Sequence, residues 1–125
     1  MKKLELEFPI KSSIKILYNC LSTPSGLSEW FCDDVNLEQN AKHWNFSWDG
    51  SDQVAELIQM VEDQSIRFRW LDEDDDTYFE FKIDVDDLTG NMLLVITDFT
   101  EEDEVDTTKA LWDSQVRDLL QTLGS

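Results

Sequence analysis

The stretch Leu17-Tyr18-Asn19-Cys20-Leu21-Ser22-Thr23-Pro24-Ser25-Gly26-Leu27-Ser28-Glu29-Trp30-Phe31 places two short apolar helical segments on either side of a Thr-Pro-Ser-Gly break. Ser12 or Ser13 can cap the first segment, which carries Ile14, Ile16, Leu17, Tyr18, Cys20 and Leu21. Pro24 is suited to the first turn of the second, and spacings of three and four put Leu27, Trp30 and Phe31 on one face of a helix running through Phe31.

Upstream, Leu4, Leu6, Phe8 and Ile10 alternate with Lys3, Glu5, Glu7 and Pro9, the period of a half-buried strand. Downstream, strand patterns follow one another: Val35 and Leu37; Trp44, Phe46 and Trp48; Val54 to Val61; Ile66, Phe68 and Trp70; Phe79, Phe81, Ile83 and Val85; and Met92 to Phe99. Turn signals separate them at Asp49-Gly50-Ser51-Asp52, at Asp72 to Asp76, and at Asp86 to Asn91. Leu111, Trp112, Val116, Leu119, Leu120 and Leu123 then recur at helical spacing, after an acidic run, Glu101 to Glu104, that suits the positive end of a helix dipole.

Strand, two short helices, six strands and a long helix make an α+β order, with an antiparallel sheet of six to seven strands that has one apolar face and one long helix to cover it. The sheet is therefore expected to curve around that helix. Residues 1–125 read as a single domain, since no repeat and no Pro/Gly/Ser-rich linker divides them.

The formal net charge of −18, from 28 acidic and 10 basic residues, repels phosphate backbones and anionic headgroups, so neither nucleic acid nor a membrane surface is an expected partner. The simpler role of that charge is solubility. No apolar run is long enough to span a bilayer, and the opening Met1-Lys2-Lys3-Leu4-Glu5 has no signal-peptide pattern. Cys20 and Cys32 have no CxxC spacing and read as small core residues of a cytoplasmic protein.

The quoted stretch also resembles the Leu-Thr-x-Pro-x-x-Leu-x-x-Trp-Phe segment of the START-like proteins homologous to the activator of the heat-shock chaperone ATPase. They belong to the superfamily of the birch-pollen allergen. Phe46-Ser47-Trp48-Asp49-Gly50, Ile66-Arg67-Phe68-Arg69-Trp70 and Leu111-Trp112 fall where that family places a strand-turn-strand, a later strand and its final helix. The resemblance implies the helix-grip fold, and with it either an apolar ligand held between sheet and helix or assistance to another protein.

Catalysis finds little support in the residues. His43 is the single histidine and has no local partner for nucleophilic chemistry, nor a second histidine for zinc. Asp72-Glu73-Asp74-Asp75-Asp76 fails as a calcium loop, with Thr77 at the glycine position and Ile83 at the position of the bidentate glutamate. No metal or other cofactor is expected. Glu56 and Glu80 read as outward members of alternating strands, and Arg67 and Arg69 as convex-face residues pairing with acidic neighbours across strands. An enzyme of the polyketide-cyclase type, found elsewhere in the superfamily, needs polar pocket groups that this sequence supplies poorly.

The candidate pocket is aromatic. Trp30, Phe31, Trp44, Phe46, Trp48, Phe68, Trp70, Phe79, Phe81 and Trp112, with Val116, are expected to converge on the concave face, with Trp30 and Phe31 near the entrance. Such a face either packs solidly against the helix or encloses a small-molecule cavity, and the sequence leaves both open. The expected activity is non-enzymatic binding of a small apolar or amphipathic ligand. The alternative is an acidic module that meets a basic protein partner. Oligomeric state is not legible.

Overall fold

The computed structural model describes residues 1–38, 41–73 and 76–124. Asp74 and Asp75 of the acidic run therefore lie outside the described residues. Strand β1 (Lys2–Ile10) leads into α1 (Ile14–Ser22) and α2 (Pro24–Leu27). Six strands follow: β2 (Asp34–Leu37), β3 (His43–Trp48), β4 (Ser51–Val61), β5 (Ser65–Trp70), β6 (Phe79–Val85) and β7 (Met92–Thr100). A 3-10 turn, Glu102–Glu104, opens the long helix α3 (Val105–Leu123).

All pairings are antiparallel, in the order β1-β7-β6-β5-β4-β3-β2. The one non-sequential neighbour is β1, which the two helices carry away from β2 so that it pairs with β7 along its whole length. This is the curved sheet around a C-terminal helix that the element order predicts.

Local chemistry sets the boundaries. The Ser13 hydroxyl accepts from the Ile16 N–H at the start of α1, and the Thr23 hydroxyl accepts from the Gly26 N–H at the start of α2. The α2 helix stops at Leu27 rather than running through Phe31: beyond it the N–H groups of Glu29 and Trp30 reach back only three residues, to Gly26 and Leu27, and that of Cys32 reaches back five, to Leu27, all at 3.3 Å, so the α-helical ladder is lost. That winding still buries Trp30 and Phe31. The β3–β4 turn is two residues, not four. Ser51 and Asp52 already pair with Trp48 and Ser47, leaving Asp49 and Gly50 at φ 46° and 83°, the tight hairpin that Asp-Gly favours.

The register slips between Leu57 and Gln59, so Ile58 is an extra residue and β4 bulges there. Elsewhere parity holds. Leu4, Phe46, Ala55, Ile66, Phe68, Phe79, Phe81, Leu94 and Ile96 all face the concave side and are buried, and α3 covers them with Trp112, Val116 and Leu119. Cys20 and Cys32 are buried free thiols, and burial pushes Cys32 up to about 12. No helix among the described residues is long and apolar enough to cross a membrane.

On the convex side Arg69 meets Glu56 at 2.7 Å and Arg67 meets Glu80 at 2.9 Å, each pair lying directly across neighbouring strands. Arg67 also stacks over the Tyr78 ring, 4.0 Å from its centroid.

Candidate functional site

Phe46, Phe68, Phe79 and Phe81 occupy the middle of the concave face with 0–1% exposure, ring against ring; Phe68 and Phe79 centroids lie 5.2 Å apart and those of Phe46 and Phe68 5.6 Å. There the aromatic face is solid core. Toward one end the sheet and α3 diverge, leaving a half-open cleft of about 350 Å³ lined by Phe31, Trp48, Gln53, Trp70, Phe79, Asp98, Leu111, Trp112 and Gln115. The space is comparable with small-ligand sites, about 300–1,000 Å³.

The walls come from separate elements. Trp48, Trp70 and Phe79 project from β3, β5 and β6, with Trp70 and Phe79 stacked at 4.8 Å and Trp48 tilted against Trp70 at 5.9 Å. Phe31 stacks on Trp112 of α3 at 5.7 Å. The Phe31 carbonyl accepts from Trp48 Nε1 at 2.8 Å and from Gln115 Nε2 at 2.9 Å, tying β3, the turn after α2 and α3 together at the mouth.

Asp98 shares the inward parity of Met92, Leu94 and Ile96 on β7. One carboxylate oxygen accepts from the Phe99 N–H at 2.8 Å and the other from Trp112 Nε1 at 2.9 Å. Burial raises its carboxyl above the usual aspartate value, against the lowering effect of these two bonds. Gln53 enters by the same logic, since it pairs with Phe46 and so faces inward from β4.

Of the aromatic residues expected at the pocket, Phe31, Trp48, Trp70, Phe79 and Trp112 meet at the cleft. Trp44, Phe46, Phe68, Phe81 and Val116 do not line it; they are buried in the packed centre, where rings and α3 leave no space. Trp30 is not at the entrance either. Its indole donates to the Cys20 carbonyl at 2.8 Å and its ring packs on Phe81 at 5.3 Å, so it fastens the α2 turn to α1. Asp98, Gln53 and Gln115 are not legible in the sequence: β7 is apolar on both parities from Met92 to Ile96 and β4 breaks period at Ile58, so the inward side of Asp98 and Gln53 follows from their pairing with Leu4 and Phe46.

A larger depression, about 480 Å³, lies near Lys11, Asp84 and Asp86 at an end of the sheet. It has no wall from α3, and Pro9, Ile10, Met92 and Leu93 share its lining with Lys11, Asp84, Asp86 and Asn91, so charged and apolar surface are mixed there. His43 sits at the start of β3, 3.7 Å from Glu38 and away from the cleft. No metal-binding cluster occurs among the described residues.

A sheet gripping one long helix, with an aromatic cleft between them, is the architecture of START-like domains. The sequence matches the START-like superfamily domain family over residues 1–125, and the chain belongs to that family. A solved protein from Bacteroides fragilis is 40% identical over 97% of this chain and 90% of its own, with a TM-score of 0.67. The Aha1 dimer from Colwellia psychrerythraea is 16% identical over 98% of this chain and 96% of that one (TM-score 0.79). A Bacillus halodurans protein is 15% identical over 98% and 97% (TM-score 0.76). The last two show likeness of fold alone. No curated protein matches.

Proposed function

We propose that this domain binds a small, largely apolar molecule in the cleft between β3, β5, β6 and α3 and does not transform it. The observation that carries this reading is the cleft itself: space beside a packed core, walled by partly exposed Trp48 and Trp70, with a few polar groups converging on it. Burying apolar ligand surface there contributes about 25 cal/mol per Å² before the costs of association. Asp98 is the only ionisable side chain among the lining residues, and acid–base work on a bound substrate ordinarily takes a second such group. A cytoplasmic setting suits the two free thiols.

The test is native mass spectrometry of the protein purified from cells, with tryptophan fluorescence against a neutral apolar probe such as N-phenyl-1-naphthylamine. A retained small mass, or probe binding weakened at least about tenfold by Leu111→Trp at the rim, is expected. No adduct and no probe binding by the folded protein would overturn the reading. The net charge of −18 favours a second reading, an acidic module for a basic protein partner. Its mark would be affinity that falls steeply with salt.

A further inference from the structure

We infer that the cleft takes a cationic ligand, a small alkyl or aryl ammonium, whose positive charge sits among the Trp48, Trp70 and Trp112 rings beside the Asp98 carboxylate. This deepens the reading above and rests on it. Three features of the lining point the same way.

Asp98 is a partly buried acid, and among the described residues it forms no ion pair. Its bonds are to the Trp112 indole and the Phe99 amide, both neutral, and the ion pairs among the described residues lie elsewhere, at Asp63, Glu38, Glu80 and Glu56. A carboxylate has about four lone-pair sites, and two neutral donors leave it able to accept more. Within a low-dielectric cleft a counter-ion there is worth more than in water.

The remaining polar lining offers acceptors as well as N–H donors. Gln53 Nε2 is directed to the Asp72 carboxylate at 3.1 Å and Gln115 Nε2 to the Phe31 carbonyl at 2.9 Å. Those partners can only accept, so they fix both amide orientations and leave each Oε1 as the acceptor of its side chain. No lysine or arginine lines the cleft. A carboxylate or phosphate ligand would meet the like charge of Asp98 with no cationic side chain beside it.

The aromatic walls complete the match. Ring faces carry negative quadrupole density, and indole is the strongest of them toward an ammonium. The Trp48, Trp70 and Phe79 rings come from the sheet and Phe31 and Trp112 from the turn after α2 and from α3, with Phe31 in contact with Trp48 at 5.3 Å and with Phe79 at 5.7 Å. The −18 surface field concentrates cations around the molecule as a whole.

The test compares phenyltrimethylammonium with tert-butylbenzene, which has the same shape with carbon in place of N⁺, by tryptophan fluorescence titration of the full chain. The ammonium is expected to bind more tightly by about tenfold or more. That preference should persist in about 1 M salt, where the Debye length is about 3 Å, and disappear in Asp98→Asn with an unchanged near-UV circular dichroism spectrum. Equal affinities for the two probes would overturn the cation inference while leaving apolar binding in place. Binding of neither would overturn both. A preference that salt abolishes would belong to the surface field, and one that survives Asp98→Asn would belong to the rings without the carboxylate; either would overturn the inference, and should that variant not fold, the salt titration of the unaltered chain decides.

Discussion

Trp112 Nε1 donates a 2.9 Å hydrogen bond to the Asp98 carboxylate, so a buried ring of α3 and an acid of β7 hold helix to sheet at the edge of the cleft. Trp112→Phe keeps an aromatic ring there but removes the donor. Losing the bond should destabilise the protein by about 1–3 kcal/mol, with the smaller ring adding to it. Urea denaturation checks this as a lower midpoint at unchanged slope.

The same pair sets a pH dependence. Burial raises the Asp98 carboxyl above 3.8, so the folded state holds this proton more tightly than the unfolded chain does. Its contribution to stability is full below about pH 3.8 and is lost as pH rises through the raised folded value. Carboxyl-carbon NMR should give a titration midpoint for Asp98 above 3.8, displaced further upward in Trp112→Phe because one of the bonds lowering it has gone. A midpoint at or below 3.8 would contradict the burial seen here.

Gly26 sits where two backbones touch. A Cβ at this position would collide with the Asn19 carbonyl oxygen and stand 2.7 Å from Cys20 Cα, neither of which can swing aside as a side chain can. Gly26→Ala should cost about 3 kcal/mol, the upper end for overpacking. Wild-type thermal stability in that variant would mean α1 and α2 are less closely packed than described.

On the convex face, the Glu56–Arg69 and Glu80–Arg67 pairs are all partly exposed, with side-chain exposures of 14–32%, so solvent screens them. A double-mutant cycle on Glu56 and Arg69, each replaced by Gln, should return a coupling of about 0.5–1 kcal/mol that shrinks with added salt. A coupling of several kcal/mol would indicate much deeper burial.

Much of this fold is legible along the chain. Leu4 to Ile10 and Phe79 to Val85 alternate, and alternation by itself names the buried side of each, whereas Met92 to Ile96 is apolar throughout and takes its buried side from pairing with β1 and β6. Helix α3 likewise shows its buried residues through the spacing of Trp112, Val116 and Leu119. Period is no guide where it breaks locally, at the Ile58 bulge, or where a helix gives way to tighter and wider local turns without a strong stop signal, after Leu27.

The candidate site was legible only in part. Aromatic content predicts that rings meet on the concave face, yet Trp44 and Trp48 have the same residue type and parity on β3, and one is core while the other walls the cleft. Their difference lies in what packs on each: Trp44 is buried against Phe46 and Phe68, while Trp48 meets Phe31 and Trp70 at the cleft, and no local pattern encodes those neighbours.

From residue order alone came the α+β class, the parity of the alternating strands, the outward side of Arg67 and Arg69 and an acidic composition, because each depends on neighbours a few positions apart or on simple addition of charge. The tertiary structure decided where packing stops and the cleft begins, and that Asp98, Gln53 and Gln115 stand inside it. Those outcomes depend on how far the curved sheet and α3 diverge, a distance set jointly by side chains from seven strands and a helix that meet only when the chain has folded.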